Sequence, residues 1–339
     1  MPSPEILAAG AVLIGLIMYT DFAGADFGSG IWTALASGPR AREQREELFN
    51  AIGPIWETHH VWLIFVIVTL FTCLPHAFGA LFIALLAPLV IALVGINFRG
   101  AAFGFRHFGQ ETRHHLPFTA QVFSVSSALT PFTLGMAFSA TAAGRIHIVN
   151  GQVQADFWSS WITPFTFVGG LVALAICAFL TPIYMCVRTH DELREDFRKR
   201  GLIAALVLGV VTTLALPVAW FEEPNFAERL LSPVPLIVVA GGIVCGVATL
   251  FFLWTRRYIF AQVTAPAAVA AVLVGFGLAL FPYILIDQMT IAQAAAPRES
   301  IVAYLTILPF GAIILVPSLL LLYWIFLGEP KPEVKAKGT

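Results

Sequence analysis

Charged residues are scarce in this sequence, and their scarcity limits the classes of protein that it can encode. Only 12% of the 339 residues are Asp, Glu, Lys or Arg, whereas 58% are hydrophobic and the mean hydropathy is +0.85. A soluble domain carries about a quarter of its residues as charged ones. The net charge of -1 offers no basic surface for nucleic acid. The composition therefore predicts a polytopic membrane protein with no nucleic-acid partner.

Cysteines and early basic residues are also few. The four cysteines, Cys73, Cys177, Cys186 and Cys245, are isolated in apolar segments without a CxxC or CxxCH pattern. We therefore expect neither a disulfide nor covalently attached haem. The first basic residue is Arg40, whereas a signal peptide begins with a positively charged region. The apolar start is therefore expected to be a retained membrane helix.

What the sequence does contain is a series of long apolar runs. About 20 mostly apolar residues are needed to cross a bilayer, and nine segments qualify. They lie near 5–35, 55–74, 77–98, 118–142, 160–186, 202–221, 233–254, 258–283 and 302–327. The predicted fold is an all-α integral membrane protein with about nine transmembrane helices.

The basic residues indicate how these helices are oriented. Of the 19 Lys and Arg residues, 16 follow spans 1, 3, 5 and 7 or lie in the C-terminal tail. The other three, Arg145, Arg229 and Arg298, fall in the even-numbered loops. Because basic residues concentrate in cytoplasmic loops, the N-terminus is predicted outside and the C-terminus in the cytoplasm.

The stretch "GPIWETHHVWLIFVIVTLF", residues 53–71, places an acid and two histidines directly before an apolar run. Ionisable groups are costly in the bilayer and are usually functional there. The uninterrupted apolar part of the first span, 6–20, covers only about 22 Å of helix. Asp21 and Asp26 are therefore expected in the cytoplasmic third of the membrane. Residues 56–60 are expected at a similar depth, because the apolar part of the second span is equally short.

Two acidic clusters thus share a depth and a membrane face, which indicates a proton path that opens to the cytoplasm. Carboxylates and histidines in series are the usual relay groups of membrane pumps. Glu57 and His60 are three residues apart and can touch, with Trp56 as a supporting neighbour. Asp21 and Asp26 lie about 140° apart around a helix, so only one of them readily faces a common partner. The alternative is that these residues cap two helix ends.

His59 and Arg99 take supporting roles in this hypothesis. A metal- or haem-binding pair of His59 and His60 is disfavoured, because adjacent helix residues point in different directions. Arg99 lies at the cytoplasmic end of the third span. It would pair with Asp26 or Glu57, bind a lipid head group, or anchor the helix at the membrane edge. The positive-inside rule favours the anchor.

At these residues the chain resembles a known family. The segments "GADFGSGIW" (24–32), "AIGPIWETHHVWLI" (51–64) and "NFRGAAFGFR" (97–106) are similar to those of cytochrome bd-type quinol oxidase subunit II. Similar segments continue in order along essentially the whole chain. They are "TPFTLGMAF" at 130–138, "TPFTFVGGL" at 163–171, "YMCVRTHDELREDFRKRG" at 184–201, "LFPYIL" at 280–285 and "MTIAQAAAPRES" at 289–300.

The resemblance implies an architecture, partners and a location. A first four-helix bundle would span 4–142, a second 157–283 and a ninth helix 302–327, before a cytoplasmic tail at 328–339. The chain would hold no redox centre, and no catalytic or metal-binding residue is expected on it. Haems b and d, or b only, would lie in a haem-bearing subunit I that forms a heterodimer with it. Quinol, lipid, a structural quinone and a small accessory subunit complete the expected partners, in a bacterial cytoplasmic (inner) membrane.

The resemblance also implies residue roles. Glu57 would lie on a proton route toward the oxygen-reducing haem of the partner, and Asp26 would be its counterpart in the first helix. Many members have an acid directly before the glycine of that helix, where this chain has Ala23. The extra acid is instead Asp21, and two histidines follow Glu57. The path is therefore expected to be rewired locally, with His60 included.

Two alternatives stay open. A proton-coupled secondary transporter would use the acids and histidines to couple protons to a substrate, although the sequence lacks the symmetric pair of broken helices that such proteins often have. A purely structural assembly subunit would use the acids only as caps. In that case turnover of the complex would not depend on Glu57.

Overall fold

The computed structural model describes residues 3–52, 58–111 and 117–327, and these residues are almost entirely helical. The elements of the described chain follow in this order: α1 Pro4–Ala34, α2 Ala41–Ile52, α3 Thr58–Cys73, α4 Pro75–Ala84, α5 Leu86–Glu111, α6 Pro117–Ala140, β1 His147–Val149, β2 Gln152–Gln154, α7 Pro164–Arg188, α8 Asp191–Glu222, α9 Pro224–Leu230, α10 Pro233–Trp254, α11 Tyr258–Leu280, β3 Tyr283–Leu285, β4 Met289–Thr290, α12 Ile291–Ala294 and α13 Arg298–Leu327. The expectation of an all-α chain is confirmed.

Proline begins several of these helices. It occupies the first turn of α1, α4, α7, α9 and α10. The first turn has no intrahelical partner for its N–H groups, so the missing N–H of proline costs little there. At the start of α7 the side chain of Thr163 also accepts a hydrogen bond from the backbone N–H of Thr166, which caps the helix.

Eight helices of the described chain are long and apolar enough to cross a membrane, and a ninth span results if α3 and α4 are taken together. The predicted third span, 77–98, is wrong in its bounds. Helix α4 bends by 119° from α3, and α5 begins only at Leu86. Pro75 and Pro88 explain both breaks, because neither has the N–H that would continue the preceding helix.

The other spans match their expected positions closely, except at the start of the sixth. Helix α8 begins at Asp191, well before the predicted residue 202. Its charged first turns remain helical, supported by an ion pair between Glu195 and Arg198 three residues apart. The orientation across the membrane stays a prediction. So does the division into two bundles, since α1 packs against helices from both halves of the chain.

Helix α1 is the central helix, in contact with α3, α6, α7 and α11. Two glycines allow its neighbours to approach closely. A Cβ at Gly28 would lie 2.0 Å from the carbonyl oxygen of Cys177 on α7. A Cβ at Gly30 would lie 2.1 Å from the Oγ of Ser127 on α6. Small residues allow this kind of contact between membrane helices.

A polar network joins α2 and the residue before it to α8 and to the end of α1. Arg40 donates two hydrogen bonds of 2.9 Å to the carboxylate of Asp196, and the side-chain amide of Gln44 donates to the same carboxylate at 2.9 Å. Arg200 donates to the Oε1 of Gln44 at 2.6 Å. Arg45 donates to two backbone carbonyls at the end of α1, where a cation is favoured by the helix dipole. These contacts fix helix α2 beside the end of α1.

Two short antiparallel hairpins, β1–β2 and β3–β4, lie at the other end of the molecule. The backbone N–H of Ile148 donates to the side chain of Gln288 at 3.2 Å, which links the two hairpins. Between the two ends, the outer faces of α8, α10, α11 and α13 expose large apolar side chains. A belt of this kind is suited to hydrocarbon or to another membrane subunit.

Candidate functional site

A buried ion pair joins helices α1 and α5. The Nη2 of Arg99 on α5 lies 2.6 Å from the Oδ1 of Asp26 on α1, and the two side chains are 2% and 1% exposed. Buried arginines and aspartates are rare unless they are paired. Pairing with Asp26 was one of the roles considered for Arg99 from the sequence, and it is the one found in the structure.

The preferred interpretation of Arg99, a surface anchor, is wrong. Its guanidinium also donates a hydrogen bond from Nε to the Oγ of Ser127 at 2.9 Å and one from Nη2 to the backbone carbonyl of Asp26 at 3.2 Å. The rings of Phe27 and Phe123 lie 5.1 and 4.9 Å from its central carbon. These contacts replace the water that a buried guanidinium loses, and the ring faces add a favourable cation–π attraction.

His59 completes the site from helix α3. Its side chain is 0% exposed, and its Nδ1 lies 3.6 Å from the Oδ2 of Asp26, the oxygen that Arg99 does not contact at short range. This distance is too long for a hydrogen bond, but it gives a direct electrostatic contact when the imidazole is protonated. Asp26 thus lies between a permanent cation and a residue whose charge can change.

His60, half-buried, lies next to His59, and their ring centroids are 4.2 Å apart. The expectation that the two adjacent rings point apart is therefore wrong for their side chains, which tilt toward each other. Among the described residues, no group of three or more His, Cys, Asp or Glu side chains could hold a metal ion. His59 is buried and His60 is partly exposed, so the pair of rings extends from the interior toward the surface.

Asp21 is not part of this contact. It precedes Gly28 by seven residues, so it shares the face of α1 that packs on α7. Its Oδ1 is buried and has no hydrogen-bond partner among the described residues. The expectation that only one of Asp21 and Asp26 faces the common partner agrees with this placement, and Asp26 is the one that does.

Glu57 and Trp56, the other residues predicted for the site, lie outside the described residues. Two contributors were missed by reasoning from the sequence. Tyr19 is 8% exposed, its ring centroid lies 6.2 Å from that of His59, and its hydroxyl has no hydrogen-bond partner among the described residues. Its position seven residues before Asp26, two turns away on the same face, was the available signal. Ser127 gave no such signal.

The arrangement combines an ion pair, Asp26–Arg99, with a neighbouring side chain, His59, that can bind or release a proton. With neutral His59, the Asp26 carboxylate and the Arg99 guanidinium cancel each other. With protonated His59, the added positive charge faces the second carboxylate oxygen. The three groups then carry a net charge of +1, which the carboxylate of Asp26 offsets only in part.

Comparison with known proteins identifies the family. The sequence profile of "Cytochrome bd terminal oxidase subunit II" matches residues 4–326. Cytochrome bd ubiquinol oxidase subunit 2 of Bacillus subtilis is 25% identical over 300 residues, which is 85% of this chain and 86% of the relative. Cytochrome bd-I ubiquinol oxidase subunit 2 of Escherichia coli K12 is 23% identical over 98% of this chain and 96% of the relative.

The fold agrees with this assignment. The solved structure of bd oxidase from Geobacillus thermodenitrificans contains a chain that superposes with a TM-score of 0.81 at 20% identity, covering 96% of this chain and 99% of that one. The family resemblance, drawn from segments along essentially the whole chain, is confirmed. The match does not support the transporter alternative. The chain belongs to the cytochrome bd terminal oxidase subunit II family, so it is a membrane subunit of a quinol:oxygen oxidoreductase complex that includes a subunit I.

Proposed function

We propose that this chain supports the haem-bearing subunit I and gives protons from the cytoplasm access to it. One observation carries the proposal: Asp26, Arg99 and His59 come from three different helices and meet with almost no exposure to solvent. Nothing about helix packing alone requires a charged cluster there, since apolar side chains of similar volume pack at least as stably. Ionisable groups retained inside a membrane are usually part of a route for protons or ions.

The chemistry of the complex gives this route its purpose. Reduction of oxygen to water consumes protons, and in this proposal the haems b and d, or b only, of subunit I supply the redox chemistry with quinol as the electron donor. A subunit without a redox centre contributes by delivering protons and by holding its partner in place. If the protons come from the cytoplasmic side of a bacterial inner membrane, turnover builds a membrane potential.

The residues proposed for the route are Glu57, Asp26, His60 and Asp21. Half-buried His60, adjacent to the buried ring of His59, supports a path that starts near the surface. The position of Asp21 on the α7 side of α1 gives it a secondary place in the path. Trp56 and Arg99 act as supporting residues, and a structural quinone, bound lipid and an accessory subunit remain part of the proposal.

The test uses the complex purified through a tag on this chain. We expect Glu57→Gln to slow oxygen consumption by about a hundred-fold, the scale of losing one positioned proton-transfer group, with an unchanged reduced-minus-oxidised haem spectrum. Glu43→Gln, an exposed glutamate on α2, is the control and should leave turnover unchanged. Normal turnover in Glu57→Gln would refute the proton route and favour the purely structural role.

A further inference from the structure

Asp26 is poorly suited to carry a proton itself. Its Oδ1 is bound to Arg99 at 2.6 Å, and an arginine in a protein does not give up its proton. Adding a proton to Asp26 would therefore leave the buried guanidinium without its counter-ion. Breaking a buried pair in this way is strongly unfavourable, because it leaves one charge uncompensated. A carboxylate in this position is better understood as a fixed negative charge.

His59 is suited to change its charge at the same place. Histidine is the side chain that ordinarily gains and loses a proton near neutral pH. The neutral ring leaves the Asp26–Arg99 pair intact, and the protonated ring faces the Oδ2 of Asp26 at 3.6 Å. Either protonation state is thus accommodated without separating the ion pair.

The groups around His59 differ in their exposure to solvent, which indicates the direction in which a proton would move. His60 on the same helix is half-buried, with its ring centroid 4.2 Å away. Helix α1 contributes Asp26 and the buried phenol of Tyr19, whose ring centroid is 6.2 Å from that of His59. Arg99 of α5 acts through Asp26, and the buried thiol of Cys177 on α7 packs in the same cluster as Tyr19. The described helices thus place several titratable and charged groups near the ring.

We propose that His59 is the proton-carrying group of this site and that Asp26 and Arg99 form a fixed ion pair that positions it. A proton from the cytoplasmic side passes by way of His60 to one ring nitrogen of His59. The other ring nitrogen then releases its proton toward the partner subunit. One proton enters, one leaves, and no electrons move. This inference rests on the proposed function and assigns the role of Asp26 differently, as a positioning residue.

The first test compares two neighbouring histidines in the intact complex. We expect His59→Gln to lower quinol-driven oxygen consumption by about a hundred-fold, while His60→Gln, half-buried and closer to the surface, lowers it less. Both variants should keep the parent haem spectrum and yield. Glu57→Gln is measured in parallel. If Glu57→Gln is slow but His59→Gln is normal, this inference is wrong and the proton route stands; if both are normal, the route itself is wrong.

The second test separates a carrier from a positioning residue. In Asp26→Asn/Arg99→Met both charges are removed together, so no buried charge is left alone. We expect this double variant to turn over faster than His59→Gln, with the pH profile shifted toward lower pH because protonated His59 has lost its carboxylate. A double variant as slow as His59→Gln, with an unshifted profile, would make Asp26 the carrier and overturn the inference.

A third measurement does not depend on whether a His59 variant assembles. The unaltered complex and His60→Gln are prepared with isotope-labelled histidine and followed by infrared difference spectroscopy during turnover. We expect a labelled imidazolium signal that appears and decays with turnover in both samples. Its absence from His60→Gln would assign the changing charge to His60, and its absence from both would exclude a histidine carrier.

Discussion

Arg99 and Asp26 lie 73 residues apart in the sequence, yet their side chains meet at 2.6 Å with only 2% and 1% of their surfaces exposed. A pair of this kind is costly to break, because each partner left alone is an uncompensated buried charge. Mutation of either partner should therefore lower the stability of the protein much more than mutation of an exposed ion pair of the same chain.

We expect Arg99→Met to destabilise the complex by about 3–5 kcal/mol, because Asp26 loses its counter-ion in a dry environment. The Asp26→Asn/Arg99→Met double variant should recover part of this loss. Thermal unfolding of the detergent-solubilised complex measures both. Arg42→Met is the control: Arg42 is 89% exposed and pairs with Glu46 one turn away, so its loss should leave the unfolding temperature nearly unchanged. Equal effects of Arg99→Met and Arg42→Met would contradict the burial of the pair.

Gly28 allows α1 and α7 to pack in close contact. A Cβ there would lie 2.0 Å from the carbonyl oxygen of Cys177 and 2.1 Å from the Oγ1 of Thr181, so we expect Gly28→Ala to force the two helices apart and to lower the yield of assembled complex sharply. Gly10→Ala, on the same helix with nothing within 4 Å of the new methyl group, should assemble normally. Size-exclusion chromatography of fluorescently tagged chains compares the two, and similar yields would count against this packing.

Loss of the hydroxyl group should destabilise the protein at Tyr304 but not at Tyr19. The hydroxyl of Tyr304 lies 2.6 Å from the Oγ1 of Thr69 and joins α13 to α3, so Tyr304→Phe should cost about 1 kcal/mol. The buried hydroxyl of Tyr19 makes no such bond among the described residues, so Tyr19→Phe should be neutral or stabilising. The midpoint of thermal unfolding of each variant, compared with that of the parent, measures both effects. A loss in Tyr19→Phe as large as that in Tyr304→Phe would indicate that the Tyr19 hydroxyl is hydrogen-bonded.

Glu223, just past the end of α8, should make stability depend on pH. Burial raises the pKa of its carboxyl group from 4.5 to about 7, opposed by the nearby charge of Arg145. Between these two values the folded protein holds a proton that the unfolded chain has lost, so stability falls as pH rises through this window. The carboxyl group is partly exposed, and solvent reduces the size of the effect.

We therefore expect Glu223→Gln to unfold at a higher temperature than the parent at pH 8 and at nearly the same temperature at pH 5. Glu228→Gln, an exposed carboxyl group five residues further on, is the control and should show no such pH-dependent difference. Melting curves from pH 5 to pH 8 measure the effect. If the unfolding temperatures of the parent and Glu223→Gln differ by the same amount at every pH in this range, Glu223 is not the cause of the pH dependence.

The helices were predictable from the sequence because hydrophobic length and proline position act locally. Pro233 and Trp254, the ends of α10, match the predicted span at both residues. The bend between α3 and α4 was not predicted, because an apolar run interrupted by Pro75 reads equally well as two spans or as one bent one. Its direction depends on what packs beside it.

The candidate site was predictable only in part. The sequence predicted Asp26 in the cytoplasmic third of the membrane and Arg99 at the cytoplasmic end of its own span, but it could not give the rotation of α5 about its axis. Rotation decides whether a guanidinium reaches a lipid head group or the Oγ of Ser127 inside the protein. The same uncertainty affects His59 and His60, which differ by only one position in the sequence and yet differ in burial.

The separation of Asp26 and Arg99 along the chain has a consequence for biosynthesis. A ribosome adds about 5–20 residues per second, so the 73 residues between them take roughly 4 to 15 s to synthesise. Helix α1 is therefore complete before the residue that neutralises its buried acid has been translated. During this interval Asp26 must be accommodated by the insertion machinery or by water at the membrane edge. The buried pair between α1 and α5 thus forms only after α5 has been synthesised.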